Sequence, residues 1–253
     1  MEVKPVVMVL ADISGYTSFM KYHRSSIVHA EIIITDLIES VLDSADHPLT
    51  INKLEGDAVF FYAETGENPR DVARSVLDQM QQFFPVFYKR EHEIVSCNLC
   101  KCDACLQADQ LRLKVIAHSG EALFKDIRDF MELAGEDVIL IHRLLKNSVH
   151  ADEYILLTDA FTELLDEKPV FPAQQFVEQY DSLGKVHVTA YYPSGRTDRE
   201  VTSYKATLFA KLKQFIRFES YLLGRQLGLL APRKPANVPV VNLLGDLQAR
   251  EQH

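Results

Sequence analysis

The sequence predicts a single α+β sandwich over residues 5–193, with helices packed on one sheet, and three observations carry that expectation. Apolar runs of strand length alternate with stretches of helical periodicity. Two strand pairs meet at tight turns, one holding Gly56 and the other Gly184. Hydrophobic residues make up 47% of the 253-residue chain, enough for a sizeable core.

In chain order, residues 5–11 read as a buried strand that ends at Asp12 and opens into a polar turn with Ser14, Gly15 and Thr17. A helix follows over about 25–44, where Ile27, Glu31, Ile34, Ile38 and Val41 trace one face, apolar except at Glu31. "LTINKLEGDAVFFYA" (49–63) reads as a hairpin turning at Glu55-Gly56-Asp57. Asp71 opens a helix with Val72, Val76, Met80, Phe83 and Phe87 at helical spacing and a kink expected at Pro85. "LRLKVIAHSGEALF" (111–124) reads as a strand running into a Ser-Gly turn, and "GEDVILIHRLLKN" (135–147) as a helix. "EYILLT" (153–158) is a short strand followed by a short helix, and residues 175–193 form a last hairpin about Gly184.

A boundary is expected near residue 195. Beyond it a helix over about 204–230 sets Leu208, Leu212, Phe215 and Leu222 against Lys205, Lys211, Lys213, Arg217 and Arg225. Docking on the chain's own domain or a dimer partner is expected for this helix rather than a membrane surface. The tail "APRKPANVPVV" reads as a linker.

The net charge of −9 excludes general affinity for nucleic acid. No run approaches the ~18–20 apolar residues that span a bilayer. "MEVKPVV" lacks the features of a signal peptide, so a cytoplasmic location is the expectation.

All four cysteines, Cys97, Cys100, Cys102 and Cys105, fall within "CNLCKCDAC", read as an inserted loop. Clustered thiols in a reducing compartment suit a metal better than a disulfide framework, and four thiolates would complete a structural zinc site. A redox dithiol and inert thiols are the alternatives.

Asp12 and Asp57 occupy similar settings at strand ends, where hard oxygen ligands suit Mg²⁺ or Mn²⁺. Amides of residues 13–17 could cradle a phosphate. The plainer alternative is two turn aspartates bonded to their own backbone.

Four blocks, in order, resemble the class III adenylate/guanylate cyclase catalytic domain, over about residues 5–193. "ADISGYT" resembles its metal-and-phosphate turn, "KLEGDAVFFYA" its Lys-x-x-Gly-Asp hairpin, "LKVIAHSGEALF" its His-x-Gly strand and "GEDVILIHRLLKN" its Arg-bearing helix. The resemblance implies a ferredoxin-like α+β sandwich, a head-to-tail homodimer, and two Mg²⁺ or Mn²⁺ ions per site on Asp12, the Ile13 carbonyl and Asp57. It implies substrate contacts from Gly15, Tyr16 and Thr17, adenine contacts from Lys53 and Glu132, and transition-state stabilisation by Arg143. ATP is the implied substrate and cyclic AMP the product, with a catalytically degenerate nucleotide-binding module as the alternative. The sequence departs from the family pattern twice: Ile139 stands at an expected Asn, and Thr189 at an expected Lys, with Lys185 nearby. Each lost polar contact would cost a factor of ~10²–10³ in rate.

Overall fold

Val6, Val7, Met8, Val9 and Leu10 are all fully buried, because the strand that carries them, β1 (Glu2–Ser14), is covered on both faces. Successive strand residues point to opposite sides. Val7, Val9, Ala11 and Ile13 enter one core and Val6, Met8 and Leu10 the other. The computed structural model describes residues 1–22, 27–97, 103–128, 130–193 and 216. The expected helix over 204–230 lies, apart from that single residue, outside the described residues.

The eight-stranded sheet runs β2 (Thr50–Glu55), β3 (Ala58–Glu64), β1, β4 (Arg112–Ile127), β6 (Tyr154–Thr158), β8 (Gly184–Tyr191), β7 (Ala173–Tyr180), with β5 (Phe130–Ala134) paired to β4. All neighbouring pairs are antiparallel except β4 with β6. Helices α2 (Ile27–Ser44) and α3 (Pro69–Cys97) cover one face. The other face is covered by α5 (Glu136–Leu144), whose Val138, Ile141 and Leu144 pack on Leu10, Phe60 and Ile116. Short helices α1 (Tyr16–Tyr22), α4 (Asp103–Gln107) and α6 (Asp159–Thr162) complete the described fold.

The hairpins at Gly56 and Gly184 stand where the sequence places them, and both glycines have positive φ. Three local expectations change. Helix α1 and strand β5 were not read from the sequence. The Ser-Gly turn at 119–120 does not form: β4 continues through both residues, paired to Val6 and Val7 of β1. Gly120 has a different reason to be there, since a Cβ on it would lie 2.2 Å from Asp137 Oδ2. That carboxylate accepts from the Glu121 amide at 2.7 Å and from His118 Nε2 at 3.1 Å. His118 Nδ1 meets Thr158 Oγ1 at 2.9 Å, so the His-x-Gly block is a buried tie between β4, α5 and β6. Burial holds the His118 pKa below the usual imidazole range, with Asp137 opposing the shift.

The cysteine run is also not a simple inserted loop. Cys97 closes α3 and Cys105 lies in α4, buried in the core with its sulfur 3.9 Å from His29 Nδ1. Cys100, Cys102 and the Cys97 side chain lie outside the described residues. Among the described residues no three His, Cys, Asp or Glu side chains form a metal-binding group, so nothing there supports the expected zinc.

Candidate active site

Strand β1 ends at the open edge of the α5 face. Asp12 lies opposite Ala58 of β3 on one side and Lys114 of β4 on the other. The β2–β3 turn brings Asp57 to the same point, where its carbonyl accepts the Ile13 amide at 3.1 Å. The two carboxylates sense each other: burial first, and then the Asp12 charge, push the Asp57 pKa up to about 6. Lys114 Nζ lies 2.8 Å from Asp12 Oδ2 and is buried with it. Its pKa is raised because attraction to Asp12, with smaller contributions from Tyr154 and Asp57, outweighs the desolvation that opposes it. Sequence reading missed Lys114. No local signal marks it, because only the register of β4 on β1 sets a lysine of "LRLK" across from Asp12.

Gly15 follows β1 with φ +91°, a left-handed conformation that favours glycine. Its carbonyl accepts the Phe19 amide at 2.8 Å and starts α1. Tyr16 is half-buried, and its hydroxyl donates to Glu31 Oε1 at 3.5 Å. Burial, then Glu31 and Asp57, raise the phenol's pKa, which places Tyr16 within electrostatic reach of the carboxylate pair. Thr17 is exposed on the next position.

A second group of expected residues gathers between β2 and α5. Lys53, Val138, Ile139, His142, Arg143 and Lys146 line one open cavity of about 360 Å³. Lys53 Nζ is held by Glu55 Oε1 at 2.9 Å, and Glu55 Oε2 faces His142 Nδ1 at 3.3 Å. The His142 ring leans on Phe60 at 4.9 Å, while its Nε2 is buried without a hydrogen bond. A buried lone pair costs less than a buried unpaired N–H, so the imidazole is neutral and donates from Nδ1. Burial lowers its pKa in the same sense, although Glu55 opposes the shift. Glu55 and His142 were not singled out from the sequence.

Glu132 sits on β5 opposite Lys125. The side chain of Asn52 reaches from β2 to the Met131 carbonyl at 3.4 Å, so β5 lies alongside the strand that bears Lys53. The carboxylate seen against Lys53, however, is Glu55. Ile139 is 53% exposed on α5 despite being a large hydrophobic residue. Thr189 is buried on β8, paired across to Leu157 and Gln175. Lys185 lies at the far end of that strand, opposite Gln179.

The structure thus joins Asp12 to Asp57, and Lys53 to Arg143, as two groups on the α5 face. No helix of the described residues is long and apolar enough to cross a membrane.

The chain is similar to solved cyclase domains. A rhodopsin-guanylyl cyclase catalytic core with converted specificity, in complex with ATPalphaS, superposes with a TM-score of 0.54 at 17% identity, covering 76% of this chain and 97% of that one. The adenylyl cyclase CyaB from P. aeruginosa gives 0.54 at 15% identity, over 78% of this chain and 97% of its own. The family model described as "Protein of unknown function (DUF2652)" matches residues 34–154. "Uncharacterized protein Rv2561/Rv2562" of Mycobacterium tuberculosis (strain ATCC 25618 / H37Rv) is 34% identical over 217 residues, which are 81% of this chain and all of that protein. The chain belongs to the family of that mycobacterial protein, and its fold is that of the class III nucleotidyl cyclase catalytic domains.

Proposed function

We propose that this chain is a class III nucleotidyl cyclase-like protein that binds ATP with divalent metal and slowly converts it to cyclic AMP and pyrophosphate. The observation that carries the reading is the convergence of Asp12 and Asp57 at the end of β1, close enough for one charge to raise the other's pKa. Two crowded carboxylates at a sheet edge fit a hard divalent cation, which would relieve their repulsion. Asp12, Asp57 and the Ile13 carbonyl would hold Mg²⁺ or Mn²⁺, and the bound ions would supply positive charge to the reacting phosphates and the departing pyrophosphate.

The chain's own groups do the rest. Gly15, Tyr16 and Thr17 border the phosphates, and Lys114 brings an ammonium to the same end of the sheet. Lys53 donates to an adenine ring nitrogen, and Glu132 accepts from the exocyclic amine. Arg143 compensates charge on the transferring phosphoryl group. A head-to-tail homodimer sets the Asp12–Asp57 group of one protomer against the Lys53–Arg143 group of its partner. A structural zinc on Cys97, Cys100, Cys102 and Cys105 is a separate part of the reading, resting on the thiol spacing alone.

A second reading, a nucleotide-binding signalling module without turnover, is favoured by one observation: the cavity wall presents Ile139 where a polar side chain would orient the ribose. Incubating the purified chain with ATP or GTP and Mn²⁺, followed by product identification, separates them. Cyclic AMP supports the enzyme. Cyclic GMP would overturn the assignment of Lys53 and Glu132. Tight binding without any cyclic product supports the module.

A further inference from the structure

The cavity between β2 and α5 carries an excess of positive charge. Three of its six lining residues, Lys53, Arg143 and Lys146, are cationic, and no carboxylate lines it. On the β2 side the Lys53 charge is already compensated by Glu55, whose second oxygen is occupied by His142. Arg143 lies in the last turn of α5 and Lys146 just beyond its end, where the Lys146 amide bonds the Arg143 carbonyl at 3.0 Å. Among the described residues neither of them forms an ion pair with a carboxylate. Val138 and Ile139 add apolar surface to the same wall.

This arrangement differs from that of another groove among the described residues. Between α2 and α3, Arg90 is gripped by Asp36 and Glu93, and Glu39 and Asp43 add further negative charge. Lys89 also lines that groove, but its carboxylates outnumber its cations. The α5 cavity offers a ligand both apolar surface, from Val138 and Ile139, and cations for a polyanionic part.

We infer that Lys146 is a phosphate-binding residue of the nucleotide site, acting beside Arg143 while the Lys53–Glu55 pair holds the base end. The inference rests on the nucleotide reading above and goes beyond it, because it assigns a new residue to the phosphates. Lys146 brings from the segment after α5 a cation that the buried Thr189 of β8 does not offer. Two cations that line one cavity and pair with no carboxylate among the described residues favour a di- or triphosphate over a monophosphate, since each meets a separate charge.

Calorimetric titration of the full chain with ATP and with adenosine, in the presence of Mn²⁺, tests it. Lys146 is exposed, so its substitution leaves the core intact. Lys146→Ala is expected to weaken ATP about tenfold and to leave adenosine unchanged. Lys146→Arg should restore the ATP affinity, and Lys185→Ala, which removes an equal charge outside the cavity, should have no effect. ATP affinity of Lys146→Ala within about twofold of the parent, with Arg143→Ala impaired, would overturn the role of Lys146 and leave the nucleotide reading intact. An equal loss in Lys185→Ala would also overturn it, by showing a diffuse effect of net charge. Absence of ATP binding by the parent chain would remove the nucleotide reading and this inference together.

Discussion

Lys114 Nζ and Asp12 Oδ2 lie 2.8 Å apart on adjacent strands, so the carboxylate at the end of β1 already has a cationic partner. Both side chains are largely buried, and Asp57 adds a second negative charge to the group. The lysine ammonium therefore stands in competition with any divalent ion for Asp12.

Replacing Lys114 by Met should leave two carboxylates facing each other without a counter-charge. In the absence of divalent metal the expected loss is about 1–3 kcal/mol, below the range for fully buried pairs because this one keeps some solvent contact. Added Mn²⁺ should raise the Tm more in this variant than in the parent. Thermal unfolding with and without Mn²⁺ measures both effects. Equal metal-induced shifts would show that Lys114 and metal do not compete.

The Asp57 shift gives a pH dependence whose sign is fixed. Its carboxyl holds a proton up to about pH 6 in the fold, against 3.8 as the ordinary value. Between those values the folded chain binds more protons than the unfolded one, so stability falls as pH rises through the window. Because Asp57 is only half-buried, the effect is about 1–2 kcal/mol after allowance for solvent screening. Asp57→Asn should flatten the stability profile between pH 4 and 6, stabilise the metal-free chain at pH 7 and abolish Mn²⁺-dependent ATP binding. A variant as steep in pH as the parent would refute the assignment.

Much of this arrangement was legible in the sequence because the relevant signals are local. The Glu55-Gly56-Asp57 turn needs a positive φ at Gly56, and the flanking residues alternate or run apolar as strands do. Asp12 was visible as a carboxylate closing an apolar run. Lys114 and His142 were not, since their importance comes from register and from the docking of α5, which pair residues far apart in the chain. Glu55 gains its second partner the same way, although its bond to Lys53 is local to β2. The misread Ser119–Gly120 turn has the same origin. Glycine there serves the approach of Asp137 rather than a bend, and only tertiary packing shows it.

That approach is itself testable. Gly120→Ala places a methyl where Asp137 Oδ2 now lies, at 2.2 Å. The carboxylate would have to leave His118 and the Glu121 amide, so overpacking and lost hydrogen bonds add. A destabilisation of about 2–4 kcal/mol is expected in denaturant unfolding. Gly120→Ala combined with Asp137→Gly should recover the steric part but not the hydrogen-bonded part. If the single variant matches the parent within about 0.5 kcal/mol, close packing at Gly120 is not a constraint.

The final prediction separates a slow enzyme from a binding module. Ile139 is 53% exposed and lines the cavity with Lys53 and Arg143, so its side chain faces the space proposed for the nucleotide. An isoleucine can bury apolar surface there, but it can neither donate nor accept a hydrogen bond to a ribose. Ile139→Asn costs little stability at an exposed position, within about 0.5 kcal/mol, and adds one oriented donor and acceptor. If the reaction is limited by that missing contact, cyclic nucleotide formation should rise by roughly ten- to a hundredfold. ATP affinity should change by less than about threefold, because a contact realised mainly in the transition state raises turnover rather than binding. Product accumulation and calorimetric affinity, measured on the same preparation, give the two numbers. A variant that binds ATP as the parent does and still makes no cyclic product would place the chain with the binding modules.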